Sequence, residues 1–262
     1  MIRAMMTAAS GMKAQQMQVD TIANNIANVN TTGFKKNDLA FREMLYETLR
    51  DPGAPTGAAT RSPTGLQIGS GTTIGGSVKA FRQGEITPTG NPYDISLTGP
   101  GFFRIKVNGG EYRYTRDGSF RPDENYTLVT SEGYPLDPPV TLPPNVNDVS
   151  IGTDGTVSVT LTGSGLNQSV TKIDIYRFAN ASGLKAQGDN FYSPTDASGP
   201  AQQVSPGLDG AGEIRQGYLE RSNVSAVDEL VSLILAQRNY EINSRAIKVS
   251  DEMLQQVNNL IR

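Results

Sequence analysis

Apolar residues that recur every seven positions at both ends of the chain constrain its fold more than any other feature. Near the N-terminus, two interleaved series of this kind are apolar at seven of eight positions, which predicts one helix with a narrow apolar seam. The two series are Met5, Met12, Val19 and Ile26, and Ala8, Gln15, Ile22 and Val29. Because weak helix formers and Gly33 follow, we expect the helix to end there and the first segment to cover residues 1–33.

The C-terminus repeats this pattern over a longer stretch. Ser225 and Asp228 have the spacing of a helix capping box, and neither Gly nor Pro interrupts the chain after them. The sequence therefore predicts a single helix over residues 225–262. Its early turns are apolar on more than one face, so we expect that half to be buried on more than one side. The main series and its apolar neighbours include Leu230, Leu233, Ile234, Tyr240, Ile247, Leu254 and Ile261.

Between the two helices the apolar period shortens to two, which is typical of strands. Residues 149–161 alternate around Asp154-Gly155, which predicts a β-hairpin with a type I′ turn, and Asp117-Gly118 suggests a second hairpin. Further short strands are separated by Gly, Pro and Asn. Residues 85–205 are therefore expected to form an antiparallel β domain, followed by a return connector over 206–224, and the predicted fold class is α+β.

Residues 34–84 are expected to form an extended segment that connects the first helix to the β domain. Gly, Pro and small residues dominate this segment from Asp51 to about residue 79, and apolar anchors are few. Such a stretch is expected to be either a flexible linker or a segment that a neighbour orders. Lys35 and Lys36, at its start, are expected to be solvated where the helix ends.

The composition excludes much common chemistry. The chain has no His and no Cys, which rules out Ser–His–Asp and Cys–His nucleophiles, zinc sites built on these residues, and disulfides. A net charge of −3 provides no basic field for nucleic acid, and no apolar run reaches the ~18–20 residues that span a membrane. Asp117, Asp123 and Glu124 could be imagined as an acid pair, but Asp117 falls in a predicted turn. We therefore expect no catalytic, cofactor or metal site.

The seams of the two helices are the strongest functional signal. Two helices joined through about 180 intervening residues make a thin core, so we expect the rest of their apolar surface to be buried against other subunits. A contact of this kind that does not close on itself generates a filament. The alternative is that the two helices pack only on each other within one monomer.

Asparagines cluster near the end of the first helix, although Asn is a poor helix former. Their positions around Ile26 and Val29 favour a polar contact that fixes the register of packed helices, and the alternative is a fraying helix end. The residues expected to pack between subunits on the first helix are Met5, Met12, Val19, Ile22, Asn24, Asn25, Ile26, Asn28 and Val29. Those on the second helix are Leu230, Leu233, Ile234, Tyr240, Ile247, Leu254 and Ile261.

Several of these segments resemble the bacterial flagellar rod and hook proteins. Residues 10–35, with Ala23-Asn24-Asn25-Ile26-Ala27-Asn28 and Thr32-Gly33-Phe34-Lys35, are similar to the N-terminal signature of this family. Residues 99–103, 114–120 and 128–130 resemble its β domain, and residues 222–224, 229–231 and 237–244 resemble its C-terminal helix. The resemblance covers essentially the whole chain. Within the family, residues 46–54 and 65–71 resemble the segment that distinguishes distal-rod members from the flexible hook member.

The resemblance implies a structural subunit that is exported unfolded through the flagellar type III apparatus, without a cleaved signal peptide. It implies polymerisation into a rigid hollow driveshaft that crosses the periplasm, transmits torque to the hook and forms part of the export channel. The terminal helices would form a coiled-coil-like inner domain and the β domain an outer one. Implied partners are other copies of the chain, the other rod proteins, the hook protein and the surrounding ring bushing, with neither nucleic acid nor membrane insertion.

The resemblance also implies that residues 34–84 pack between subunits and stiffen the rod. The residues expected to carry this rigidity are Tyr46, Arg50, Pro52, Pro55, Leu66 and Ile68.

Other functions remain open at this point. A proximal-rod or hook member of the family is one; a fibrous adhesin or phage-tail module is another. An enzyme that acts on the cell wall would need Asp117 or Glu124 as a catalytic carboxylate.

The thin core of the helical ends predicts their behaviour in the free monomer. We expect both ends to be largely disordered until neighbours bury their seams, since ordering entropy must be offset by burial. Limited proteolysis of the soluble monomer, followed by mass spectrometry, should first remove about thirty to forty residues from each end. Resistance of both ends in a protein shown to be monomeric would contradict this expectation.

Overall fold

The computed structural model describes residues 2–53, 62–107, 109–161, 167–208 and 210–260. The chain divides into two compact units. The helical unit contains Met1–Ile26, Asn37–Val78 and Ser225–Arg262, and the β unit contains Ala27–Lys36 and Lys79–Val224. Two of the residues expected to mediate subunit contacts, Pro55 and Ile261, lie outside the described residues.

Two antiparallel helices dominate the helical unit and confirm the α+β prediction. Helix α1 covers Ile2–Ala27 and helix α2 covers Ala226–Leu260. Gly11 of α1 lies against the side chain of Asn243, and the side chain of Asn25 bonds to Glu229. Since the later residue of α1 meets the earlier residue of α2, the helices run in opposite directions. The N-terminus of α2 is capped as expected, with the Ser225 hydroxyl accepting a bond from the Asp228 amide at 3.4 Å.

Helix α1 ends earlier than expected, because it stops at Ala27 rather than beside Gly33. Gly33 does adopt the left-handed conformation, with φ of +68°, but it belongs to the β unit rather than to the end of the helix. A Cβ at Gly33 would lie 2.7 Å from the backbone nitrogen of Asp117. Glycine is required here by close backbone packing as well as by its φ angle.

Small and polar residues fill part of the interface between the helices. In α1 the buried side chains are those of Ala8, Ala14, Ile22 and Asn25. In α2 the buried side chains are those of Glu229, Ala236 and Ser250, which recur every seven or fourteen residues. This second series carries no large apolar residue, so the apolar pattern of the sequence did not reveal it.

The described residues between 37 and 79 form a two-part β-hairpin, which we call the arm, within the segment expected to be an extended connector. Strands β1 (Asn37–Glu43) and β4 (Thr72–Lys79) pair with each other, and β2 (Tyr46–Arg50) pairs with β3 (Leu66–Gly69) in antiparallel register. The Met44 amide donates to the carbonyl of Gly71 at 2.9 Å and connects the two parts. Every side chain of β2 and β3 is exposed, so no alternation of burial marks these strands in the sequence.

The β unit contains sixteen short strands in its described residues, all with antiparallel pairing. They are β5 (Ile86–Pro88), β6 (Ile95–Thr98), β7 (Phe103–Lys106), β8 (Tyr112–Thr115), β9 (Arg121–Pro122), β10 (Leu128–Val129), β11 (Leu136–Asp137), β12 (Val146–Ile151), β13 (Thr156–Leu161), β14 (Asn167–Lys172), β15 (Ile175–Arg177), β16 (Lys185–Gly188), β17 (Phe191–Ser193), β18 (Gln202–Val204), β19 (Glu213–Gln216) and β20 (Tyr218–Glu220). The largest sheet has the order β11-β7-β8-β17-β16, and β12, β13 and β14 form a three-stranded sheet. The expected antiparallel β domain is therefore present.

Two buried clusters form the core of the β unit. The larger one joins the five-stranded and three-stranded sheets through residues such as Phe103, Ile105, Val157, Val159 and Ile173. The second is aromatic, with Phe102, Tyr114, Tyr176 and Tyr192 packed edge to face with each other or with Phe81 and Phe178, at ring separations of 4.8 to 6.0 Å. The edge-to-face arrangement is the one that aromatic quadrupoles favour.

The structure corrects three local expectations. The return connector 206–224 contains β19 and β20, which pair with β6 and β5 and place Ile214 in the core. The hairpin at 149–161 is confirmed, but its turn is not type I′. The Gly155 amide donates to the Gly152 carbonyl across a longer loop. A type I′ turn needs a positive φ at both central residues, and of Asp154 and Gly155 only Gly155 has one. No hairpin forms around Gly118 in the described residues; the chain there packs instead against Ile95, whose amide donates to the Gly118 carbonyl at 3.0 Å.

None of the helices within the described residues combines the length and the apolar character that crossing a bilayer requires.

Close packing at Gly118 predicts that a side chain there destabilises the β unit. A Cβ at Gly118 would lie 1.5 Å from the carbonyl oxygen of Ile95, so Gly118→Ala must displace the backbone and lower the free energy of unfolding by about 2–3 kcal/mol. Gly76→Ala is the matched control, because a Cβ at Gly76 meets nothing within 4 Å. Urea unfolding followed by circular dichroism measures both; equal stability of the two variants would contradict the packing argument.

Candidate assembly surfaces and a buried ion cluster

The first three turns of α2 expose a continuous apolar surface, which we call the α2 ridge. Its five large aliphatic side chains are between 50% and 70% exposed. They are Val227, Leu230, Val231, Ile234 and Leu235. Their spacing of three and four residues puts them on neighbouring turns of the helix. A contiguous patch of this kind is uncommon on a free surface, which makes the ridge a candidate site of protein contact.

The expected subunit-packing residues of α2 divide between its two faces. Leu233, Ile247 and Leu254 are half-buried, whereas Leu230, Ile234 and Tyr240 are exposed. Three members of the seven-residue series that begins at Leu233 are therefore partly covered within the chain, and its apolar neighbours form the ridge. The sequence pattern located both surfaces but did not separate them.

The expected residues of the first helix are mostly partly covered within the chain itself. Ile22 and Asn25 are fully buried, and Asn24 is exposed. The remaining residues are half-buried: Met5, Met12, Val19, Ile26, Asn28 and Val29. Of these, Asn28 and Val29 follow the end of α1 and belong to the β unit.

Asn25 makes a polar contact within one chain. Its side-chain oxygen accepts from the Asn37 amide at 3.0 Å, and its amide nitrogen donates to the Asn37 carbonyl at 3.0 Å and to the Glu229 carboxylate at 3.2 Å. One buried side chain therefore aligns α1 with both β1 and the first turns of α2. These asparagines were expected to make a polar contact that fixes the register of packed helices. Asn25 makes such a contact inside the helical unit.

The arm brings together the residues expected to confer rigidity. Arg50 lies opposite Leu66, and Tyr46 and Glu47 lie opposite Gly69 and Ile68. Tyr46, Arg50, Pro52, Leu66 and Ile68 are all exposed. Gly65 packs closely against the facing strand of this hairpin, because a Cβ at this position would lie 2.8 Å from the carbonyl oxygen of Arg50. The arm thus presents a row of exposed side chains.

Polar contacts attach the arm to the N-terminal half of α1. Arg3 forms an ion pair with Glu47 at 2.6 Å, and the Ser10 hydroxyl accepts from the Thr72 amide at 3.3 Å. Gly71, with φ of +109°, packs directly against Ser10. The Arg3 pair is exposed and contributes little to stability, whereas the packing at Gly71 leaves no room for a side chain.

A buried ion cluster lies in the β unit. The Lys35 ammonium contacts the Glu220 carboxylate at 2.5 Å, and the Arg116 guanidinium contacts the other oxygen of the same carboxylate at 3.0 Å. The side chains of Lys35 and Glu220 are completely buried. Lys35 also donates to the Arg82 carbonyl at 2.9 Å, and Arg116 donates to the carbonyls of Gly99 and Gly101, each at 2.8 Å. The cluster therefore joins the start, the middle and the end of the β unit.

Burial controls the ionisation of this cluster. It lowers the pKa of Lys35, and the Glu220 carboxylate opposes the shift. It likewise lowers the pKa of Arg116, again against the attraction of Glu220. Burial also raises the pKa of the neighbouring Tyr192 to about 12. One carboxylate contacts both cations, and the carbonyls of Arg82, Gly99 and Gly101 accept further bonds from them, which favours their charged forms.

The expectation that Lys35 is solvated was wrong, and sequence reasoning missed this cluster. Its partner Glu220 is far away in the chain, and a lone lysine gives no sign of burial. One signal was present in the sequence. Lys35, Arg116 and Asn223 lie in three separate segments that resemble the flagellar rod and hook family. Asn223 accepts from the Lys36 amide at 2.8 Å and donates to the carbonyls of Ala80 and Arg82 at 2.8 and 3.0 Å.

The described residues contain no group of three or more acidic side chains that could hold a metal ion. Asp117 accepts from the Ser119 amide at 3.0 Å, as a turn residue does, and burial raises the pKa of its carboxyl group. Asp123 and Glu124 are exposed.

Three family models match the chain, each in one part of this fold. Residues 5–35 match "Flagella basal body rod protein", residues 96–159 match "Flagellar hook protein FlgE/F/G D1 domain", and residues 215–260 match "Flagellar basal body rod FlgEFG protein C-terminal". These matches place the chain in the class of flagellar rod and hook proteins.

Relatives that match the chain along its full length identify one family within this class. The flagellar basal-body rod protein FlgG of Borreliella burgdorferi is 47% identical over all of both chains. FlgG of Buchnera aphidicola subsp. Schizaphis graminum is 42% identical over 99% of this chain and all of that protein, and FlgG of Bacillus subtilis is 39% identical over all of both. The chain belongs to the FlgG family of flagellar basal-body rod proteins, and it is a structural subunit of the rod.

Among solved structures, the hook protein FlgE2 of Helicobacter pylori covers 71% of this chain and 43% of its own, at 13% identity. The TM-score of 0.25 is too low for a comparison of the two folds.

The ion cluster predicts a large effect from a near-isosteric change. Glu220→Gln removes the only carboxylate that neutralises Lys35 and Arg116 among the described residues, so two cations remain buried and the free energy of unfolding should fall by about 3–5 kcal/mol. The matched control is Glu213→Gln, at an exposed position of β19, which should change stability by less than about 0.5 kcal/mol. Equal urea midpoints for the two variants would show that the cluster does not hold the β unit together.

Proposed function

We propose that the chain polymerises into the distal rod, a rigid hollow driveshaft that carries motor torque to the hook and encloses part of the export channel. The exposed α2 ridge is the observation that carries this proposal. Burying the remaining area of such side chains stabilises by on the order of 1 kcal/mol each, which is available only when another molecule covers them. The FlgG relatives support a second copy of the chain as that molecule.

The contact must be open-ended for a rod to form. A surface that meets a different surface on the next copy extends into a filament when the rotation between copies does not close a ring, whereas a self-complementary surface stops at a dimer. The helical unit presents two kinds of surface, the ridge on α2 and the exposed residues of the arm. This asymmetry favours polymer growth and supports the role expected for the exposed subunit-packing residues of α2.

The arm supplies the proposed rigidity. Tyr46, Arg50, Leu66 and Ile68 project from a paired hairpin, so a neighbour that covers them meets a regular surface instead of a flexible linker. Hydrogen bonds between β2 and β3 resist deformation of the arm once it is held between subunits. A rod built in this way resists bending better than one joined through its helices alone.

The proposed partners are other copies of the chain, the other rod proteins, the hook protein, the surrounding ring and the flagellar type III export apparatus. The proposed location is the part of the rod that crosses the periplasm. A net charge of −3 on 262 residues gives the ring no strong field to bind, which suits a shaft that turns inside it. We propose neither catalytic activity nor a cofactor.

Shortening the arm tests this function in the native host. Residues 51–65 are replaced by Asn-Gly, so that Arg50 and Leu66, which already lie opposite each other, are joined by a two-residue turn. Electron microscopy of purified basal bodies should show curved or misassembled rods, and swimming should fail. The control replaces residues 162–166, between β13 and β14 of the β unit, in the same way. Straight rods of normal length from the shortened arm would show that it does not supply rigidity.

A further inference from the structure

A methionine-lined groove runs between α1 and the arm. It consists of two hollows of about 520 and 350 Å³, both lined by Ser10 and Met44. Met17 lines the first hollow and Met6 the second. Methionine is unbranched and polarisable, so its side chain adapts to an irregular apolar partner. The groove therefore has the length and the lining to receive a helix face.

The α2 ridge has the matching shape. Apolar residues at intervals of three and four positions form the face that a helix inserts into an apolar groove. The groove follows α1 from Arg3 to Met17, which is about 20 Å, and the ridge from Val227 to Leu235 is about 12 Å long. The ridge is therefore short enough to lie within the groove.

Charge fixes the position of the ridge in the groove. Lys13 lies on the groove wall, is exposed, and forms no ion pair with any described residue. Residues 226–237 contain two acids, Asp228 and Glu229, and no base. Glu229 is buried, which leaves Asp228 as the exposed charge of the ridge. An opposite charge at this point favours docking and sets its register.

We infer that the groove of one copy receives the α2 ridge of a second copy, with Lys13 facing Asp228. This contact rests on the proposed self-assembly and specifies which two surfaces meet. Once Asp228 is beside Lys13, the ridge stays within the groove only if it runs antiparallel to α1, which places Ile234 near Met6. The two surfaces differ, so each added copy exposes the same pair again, and a rotation between copies that does not close a ring gives a filament.

The same pair of charges cannot meet within one chain. The contacts of Gly11 with Asn243 and of Asn25 with Glu229 put Lys13 level with about residue 241 of α2. Asp228 lies about 13 residues away along that helix, or roughly 20 Å. An effect that depends on Lys13 and Asp228 together therefore reports a contact between copies.

Cysteine cross-linking tests this contact, since the chain has no native Cys. One full-length preparation carries Met6→Cys and a second, with a different tag, carries Ile234→Cys; the two are mixed, polymerised and oxidised. We expect disulfide-linked heterodimers, because a disulfide forms only when the two Cα atoms come within about 7 Å. Tyr126→Cys, at an exposed position of the β unit, is the control and should cross-link with neither.

Each other result has a distinct meaning. Polymers without the Met6–Ile234 cross-link would overturn this contact and leave the proposed function standing. Cross-links between two Ile234→Cys copies would also overturn it, because the ridge would then be self-complementary. Failure of the unmodified chain to polymerise under any condition would overturn the proposed function and the contact with it.

Charge reversal provides an independent check on the register. Lys13→Glu alone and Asp228→Lys alone should each slow polymerisation at least about tenfold, because like charges then face each other. The double variant should recover most of the rate. Circular dichroism establishes that both single variants fold as the unmodified chain does. Normal folding of the single variants without recovery in the double variant would overturn the pairing.

Discussion

One carboxylate holds the β unit together. Glu220 lies between Lys35 and Arg116, which come from segments before and within the sheets, and also accepts from the amide of Gly84 at 2.9 Å. A buried charge without its partner is strongly destabilising, so none of these segments is stable in place without the others. The chain that enters the β unit at residues 27–36 and the chain that leaves it through β20 are therefore expected to fold cooperatively with its middle.

The two units differ in how they use apolar residues. The β unit encloses two clusters and leaves few large apolar side chains exposed, whereas the helical unit exposes the whole α2 ridge and the side chains of β2 and β3. The six methionines within the described residues all lie in the helical unit. The apolar surface of the β unit is thus mostly enclosed, whereas that of the helical unit remains available for the contacts proposed between copies of the chain.

Sequence patterns predicted the features that depend on local periodicity. Both helices, the hairpin at 149–161 and the α+β class follow from spacing alone. The arm could not be predicted as strands because its side chains do not alternate between core and solvent, and β19 and β20 are too short to show a period. The small residues between the helices, Ala236 and Ser250 among them, carry no apolar signal. Lys35 was misjudged because its burial depends on Glu220, which only the tertiary fold brings near.

The central claim is that other copies of the chain cover the exposed apolar surface of the helical unit. The most direct test is to compare hydrogen exchange in the monomer and in the polymer. Amides of residues 226–235 should exchange at least about tenfold more slowly in the polymer, because covering the ridge suppresses opening of the first turns of α2. Amides in the five-stranded sheet should exchange equally in both states. Unchanged exchange over residues 226–235, with new protection confined to the β unit, would contradict the claim.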